Sequence, residues 1–163
     1  MEAPNPRSST GSSQVFDGSC HCGVIGFTLH MSQPPEQWQV RACQCGFCRA
    51  HGARTVSDPD GAVIFRVTEA SKLVRYRFAT RSADFLVCGA CGVYVAAVLG
   101  SEKGQFATVN VNAIDGLRDA PEAVPVSYEG ESAEQKASRR ARRWTPVIGT
   151  DVAIAAAADA RSA

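Results

Sequence analysis

Seven cysteines gathered into three tight clusters constrain this chain more than any other feature of its sequence. The clusters are Cys20-His21-Cys22, then Cys43-Gln44-Cys45-Gly46-Phe47-Cys48, then Cys88-Gly89-Ala90-Cys91. An odd number cannot close into a complete disulfide framework. Ser- and Pro-rich residues Met1 to Ser13 carry no apolar stretch of the kind a secretory signal needs. A reducing, cytoplasmic setting is therefore expected, where structural disulfides are rare. Metal is the better use for such clusters. Zinc prefers four tetrahedral ligands with Zn–S distances of ~2.3 Å.

Counting ligands divides the seven into four and three. Cys88 and Cys91 form a Cys-x-x-Cys turn and need two more donors, which the short Cys20-x-Cys22 pair can supply. Cys43, Cys45 and Cys48 lie within six residues and can chelate one ion by themselves. The expectation is a closed structural zinc site at Cys20, Cys22, Cys88 and Cys91. A second zinc at Cys43, Cys45 and Cys48 would keep a free coordination position and be held more weakly. Gly23 and Gly92, just after the first and third clusters, suit the positive φ angles of such knuckles. Competing readings are weaker. Unliganded core cysteines do not explain three clusters, and a thioredoxin-type redox pair at Cys88 and Cys91 lacks the surrounding βαβ pattern. An iron–sulfur cluster would use the same ligands.

The rest of the chain reads as one domain. Its 163 residues, 45% hydrophobic and 20% charged, can bury a core without disulfide staples. Residues 1–14 are expected to form a disordered leader, 15–130 a zinc-binding β domain, 131–150 a C-terminal helix and extension, and 151–163 an Ala-rich tail. Period-two alternation marks strands at 25–29, 38–42, 63–67, 74–78, 85–87, 94–99, 106–111 and 124–128. Ala133 to Arg143 is the one strong helix, opened by Ser132 and Gln135 as a capping box.

A net charge of +1 gives no global field to attract nucleic acid or an anionic membrane. No run reaches the ~18 to 20 apolar residues of a membrane helix. The arginines at 139, 140, 142 and 143 read as a solvated helix face. The terminal segments could order through contacts between copies, which leaves a homo-oligomer open.

At these same residues the chain resembles the glutathione-dependent formaldehyde-activating (Gfa-like) proteins, which include centromere protein V relatives. Their motifs appear in order as Gly18-Ser19-Cys20-His21-Cys22-Gly23, Cys43-Gln44-Cys45-Gly46-Phe47-Cys48-Arg49-Ala50-His51-Gly52, and Cys88-Gly89-Ala90-Cys91-Gly92. The resemblance spans about residues 15 to 130. It implies a mainly β, Mss4-like fold of small stacked antiparallel sheets around zinc knuckles. It also implies the same split into structural and functional zinc, and a lyase joining formaldehyde or another small aldehyde to glutathione. Gln44 and Gly46 stand where the family often has His and Ser. Val124 to Tyr128 lacks the family's Pro-x-x-His pattern, and Trp144 is placed inside the basic helix, so a remodelled substrate wall is expected.

Three thiolates around Zn2+ leave a net charge of about −1, which weakens activation of water relative to histidine-rich sites. Nearby cations would offset this, and Arg49, His51 and Arg54 follow the third ligand closely. Arg49 is the expected stabiliser of developing negative charge and His51 the expected proton carrier. Two further readings stand beside aldehyde–thiol addition. One is a zinc hydrolase or lyase acting on a carbonyl or imine substrate without glutathione. The other is a non-catalytic zinc-stabilised binding module, which a fourth protein ligand such as His51 would favour by closing the second site.

Overall fold

The structure, a computed structural model, describes residues 13–150. The leader expected over most of 1–14 and the Ala-rich tail at 151–163 lie outside the described residues. In chain order the elements are β1 (Gln14–Ser19), β2 (Ile25–Met31), β3 (Arg41–Cys43), α1 (Gly46–Ala50), β4 (Thr55–Val56), β5 (Ala62–Val67), β6 (Leu73–Tyr76), β7 (Asp84–Cys88), β8 (Tyr94–Ser101), β9 (Gly104–Asn110), β10 (Val124–Val126), α2 (Ala133–Arg143) and β11 (Thr145–Thr150). The architecture is mainly β, as the alternation predicts.

Strand β9 is the hub. One of its edges pairs along its whole length with β8, which continues through β7 to β6. Its other edge is shared: Phe106 and Ala107 face β11, while Val109 and Asn110 face β4. From β4 the sheet runs to β3 and β10, and from β11 to β5, β2 and β1. Most pairings are antiparallel, but β3–β10 and β5–β11 are parallel. β11 bends through a register shift between Val147 and Gly149, which lets one strand join both halves of the sheet. Pro146 and Gly149 within it read as strand breakers, so the sequence alone predicts only an extension there.

Strand β8 has residues Tyr94 to Leu99 buried on both faces, which explains its unbroken apolar run. Val95, Ala96 and Val98 face the main core with Ile25, Phe27, Leu29 and Phe65. Tyr94, Ala97 and Leu99 face a second cluster with Cys48 and Trp144. β8 thus separates the core from the region of the central cysteines. Helix α2 packs against β8 and β9 from that second side. Its capping box forms as expected: Gln135 N donates to Ser132 Oγ at 3.1 Å, and Ser132 N to Gln135 Oε1 at 2.8 Å.

The β6–β7 loop is pinned at its base by a buried ion pair. Arg77 Nε lies 2.6 Å from Asp84 Oδ1, and Nη2 lies 3.2 Å from Oδ2. The side chains are 8% and 2% exposed, so neither charge can fall back on water. Between them Ala79 and Arg81 take positive φ angles of 52° and 53°, which side chains adopt at a cost. Removing one partner of a buried pair costs about 3–5 kcal/mol, because the buried charge that remains loses its opposite charge. Arg77→Met is therefore expected to lower unfolding stability by about that amount in urea titrations. A loss below about 1 kcal/mol would show the pair to be dispensable.

Candidate metal centre and adjoining cavity

The first and third cysteine clusters meet although 66 residues separate Cys22 from Cys88. Cys20 and Cys22 sit in the β1–β2 turn, Cys88 ends β7, and Cys91 lies in the β7–β8 turn. All four sulfurs lie within 4.8 Å of one another, with Sγ separations of 3.7 Å for Cys20–Cys22 and 3.6 Å for Cys22–Cys88. Four sulfurs at ~2.3 Å from one tetrahedral ion would stand about 3.8 Å apart, so the spacing fits zinc. Gly23 and Gly92 close the two turns with φ of 83° and 79°. Gly18 completes the packing beneath, since a Cβ there would collide with the Phe27 ring and the Ala113 carbonyl. The Ile25 amide donates to Cys20 Sγ at 3.3 Å, as thiolate-bearing knuckles require. His21 is exposed and is not part of this ligand group.

Cys43, Cys45 and Cys48 converge at the end of β3 and the start of α1, again within 4.8 Å. Cys45 caps α1, its Sγ accepting from the Cys48 amide at 3.4 Å. Three sulfurs this close do not all ionise unaided. A hydrogen bond from the Cys48 thiol, outweighing burial, holds Cys43 at about 5. The same contact, together with burial, pushes the Cys48 thiol far up. A divalent cation resolves that conflict by neutralising all three, so this donor set too fits a thiophilic metal. Among the described residues no fourth Cys, His, Asp or Glu joins the group. The His51 ring lies tilted against Phe47 with centroids 4.3 Å apart, and its Nδ1 donates to the Phe47 carbonyl at 2.9 Å. It does not close the site.

The three sulfurs border a cavity of about 330 Å³. Cys43, Cys45 and Cys48 form its floor, and Phe78, Phe85, Tyr94 and Trp144 supply apolar walls. Burial, reinforced by the neighbouring sulfurs, raises the Tyr94 hydroxyl well above its ordinary pKa, so it stays protonated. The cations on the lining are Arg41, Lys136, Arg139 and Arg140. Arg49 and His51 are exposed and outside the lining. Arg54 is also outside it, with Nε donating to Asn112 Oδ1 at 2.9 Å.

The positive charge thus comes from other elements than the sequence suggests. Arg41 precedes Cys43 by two residues on β3, so alternation alone puts both on one face. Lys136, Arg140 and Trp144 recur every four residues, one face of α2 and its C-cap. Arg142 and Arg143 point outward, whereas Arg139 and Arg140 turn in, so half of the expected solvated face belongs to the cavity. Trp144 caps α2 rather than lying within it, and is 6% exposed against the same cavity.

Among the described residues no helix is long and apolar enough to cross a membrane. No curated protein matches the chain. A crystal structure of a Rhodobacter sphaeroides protein superposes with a TM-score of 0.50 at 29% identity, over 68% of this chain and 99% of that one. The model of one family, the glutathione-dependent formaldehyde-activating enzymes, matches residues 15–129, a span that takes in all seven cysteines. The chain belongs to the family of glutathione-dependent formaldehyde-activating enzymes.

Proposed function

We propose that this protein is a zinc-dependent carbon–sulfur lyase/synthase-type enzyme that adds a thiol, glutathione, reversibly to a small aldehyde. One observation carries the reading: the three central sulfurs have no fourth protein ligand among the described residues and face a walled cavity. A purely structural zinc site would be closed by four protein ligands.

The reaction balances without redox change. A C–S bond forms, the carbonyl π bond opens, and the thiol proton ends on the former carbonyl oxygen. Zinc, when bound, supplies a Lewis acid that favours the thiolate or polarises the aldehyde oxygen. The protein's own groups do the rest. Phe78, Phe85 and Trp144 give the cavity apolar walls, which strengthens the charge interactions beside them. Tyr94 keeps its proton and offers its hydroxyl to the developing oxyanion. Arg41 and Arg140 offset the negative charge of a thiolate-rich floor.

The test is an aldehyde panel headed by formaldehyde, offered to the zinc-loaded protein with and without glutathione. Hemithioacetal formation is followed by proton NMR exchange. Acceleration above the spontaneous rate only when glutathione is present is the expected result. Acceleration of hydration or imine hydrolysis without any thiol would replace this reading by hydrolase or lyase chemistry. No acceleration with any member would favour a binding module.

A further inference from the structure

The cavity holds two guanidinium groups that have no carboxylate partner among the described residues. Arg140 Nη1 donates to Ser82 Oγ at 2.7 Å, but its Nε is buried and bonded to nothing. Arg41 donates through Nη2 to Ser57 Oγ at 2.6 Å and reaches Thr108 Oγ1 at 3.4 Å, both neutral. By contrast Arg139, on the same helix, is neutralised by Glu131, whose carboxylate oxygens lie 2.9 and 3.0 Å from its Nε. Arg41 and Arg140 are both half-buried on the cavity wall, and Glu129, also on that wall, makes no ion pair with either. A buried, unpaired N–H donor beside a forked cation is what a planar anion satisfies.

We propose that Arg140 and Arg41 form a carboxylate-binding subsite, so that the molecule entering this cavity carries a carboxylate held by these two side chains. This rests on the reading of the cavity as the substrate site. The carboxylate has two sources: the thiol, as in glutathione, or the carbonyl compound, as in a small oxo acid. Arg140 lies beyond residue 129, outside the span matched by the family, and Arg41 within it. The subsite therefore combines a strand inside the matched span with a helix beyond it. Ser82, beside the positive-φ residues of the β6–β7 loop, holds the Arg140 fork through this hydrogen bond.

Isothermal titration of the zinc-loaded full chain tests this with four probes: glutathione, glutathione diethyl ester, glyoxylate and the neutral glycolaldehyde. At least one acid is expected to bind at least about tenfold more tightly than its uncharged counterpart. Arg140→Gln should abolish that preference, Arg140→Lys should restore part of it, and the exposed Arg142→Gln should leave it intact. Preference confined to glutathione assigns the carboxylate to the thiol, and preference confined to glyoxylate assigns it to the carbonyl compound. Should Arg140→Gln lose its thermal transition, Arg41→Gln carries the same comparison. Acid and neutral probes binding within twofold of each other in the wild type would overturn the subsite. So would a variant that weakens both members of a pair equally. Carboxylate-dependent binding without turnover would uphold the subsite and count against the proposed reaction; turnover indifferent to the carboxylate would do the reverse.

Discussion

Cys91→Ser is expected to abolish the cooperative thermal transition of the domain. The substitution is nearly isosteric and falls on a half-buried residue, so lost packing alone would cost little. What it removes is one of four sulfurs, drawn together from the β1–β2 and β7–β8 turns, that a structural zinc would join. A serine hydroxyl keeps its proton and is a poor zinc ligand. Structural zinc contributes apparent free energies of about 10–16 kcal/mol, as much as the ~5–15 kcal/mol by which a whole domain is stable. Circular dichroism of Cys91→Ser should therefore match that of the wild type after exhaustive chelation, with a broad, non-cooperative melt in both. A melting temperature within a few degrees of the wild type would show that the four-sulfur cluster is not a folding element.

The cysteine partition was legible in the sequence because ligand counting rests on zinc chemistry and not on tertiary detail. Helix α2 was legible because a capping box is a local device that acts through Ser132 and Gln135 alone. Strand β11 was not, because its place between β5 and β9 depends on partners far away in sequence, which outweigh Pro146 and Gly149. β1 escaped for a similar reason: Gln14 to Ser19 is mostly polar, and Phe16 finds its partner Trp38 only in the folded chain, at 4.8 Å edge-on. The site cations show how closeness in sequence differs from closeness in space. Arg49 follows Cys48 directly, yet one residue along a helix turns the side chain by about 100°, and it faces solvent. Arg41 and Arg140 obeyed the periodicities of strand and helix that bring side chains onto a shared face. Choosing them from sequence required knowing that α2 folds back over β8, which no local pattern states.

Cys48→Ser is expected to behave in the opposite way to Cys91→Ser: the fold survives and the chemistry is lost. Cys48 is 4% exposed and packs with Tyr94 and Trp144, so a buried hydroxyl in its place costs about 1–3 kcal/mol and lowers the melting temperature without removing cooperativity. The main core on the far side of β8 is untouched. Two thiolates cannot hold an ion that three hold with one position open, so metal analysis should fall from two zinc ions per chain to one. Loss of Lewis-acid stabilisation worth several kcal/mol corresponds to a fall in turnover of about a thousandfold or more. Retention of both zinc ions with unchanged turnover would remove the central trio from the reaction. A melt as broad as that of Cys91→Ser would make the trio a second structural centre, because then each cluster would be holding the chain together and neither would be free to work on a substrate.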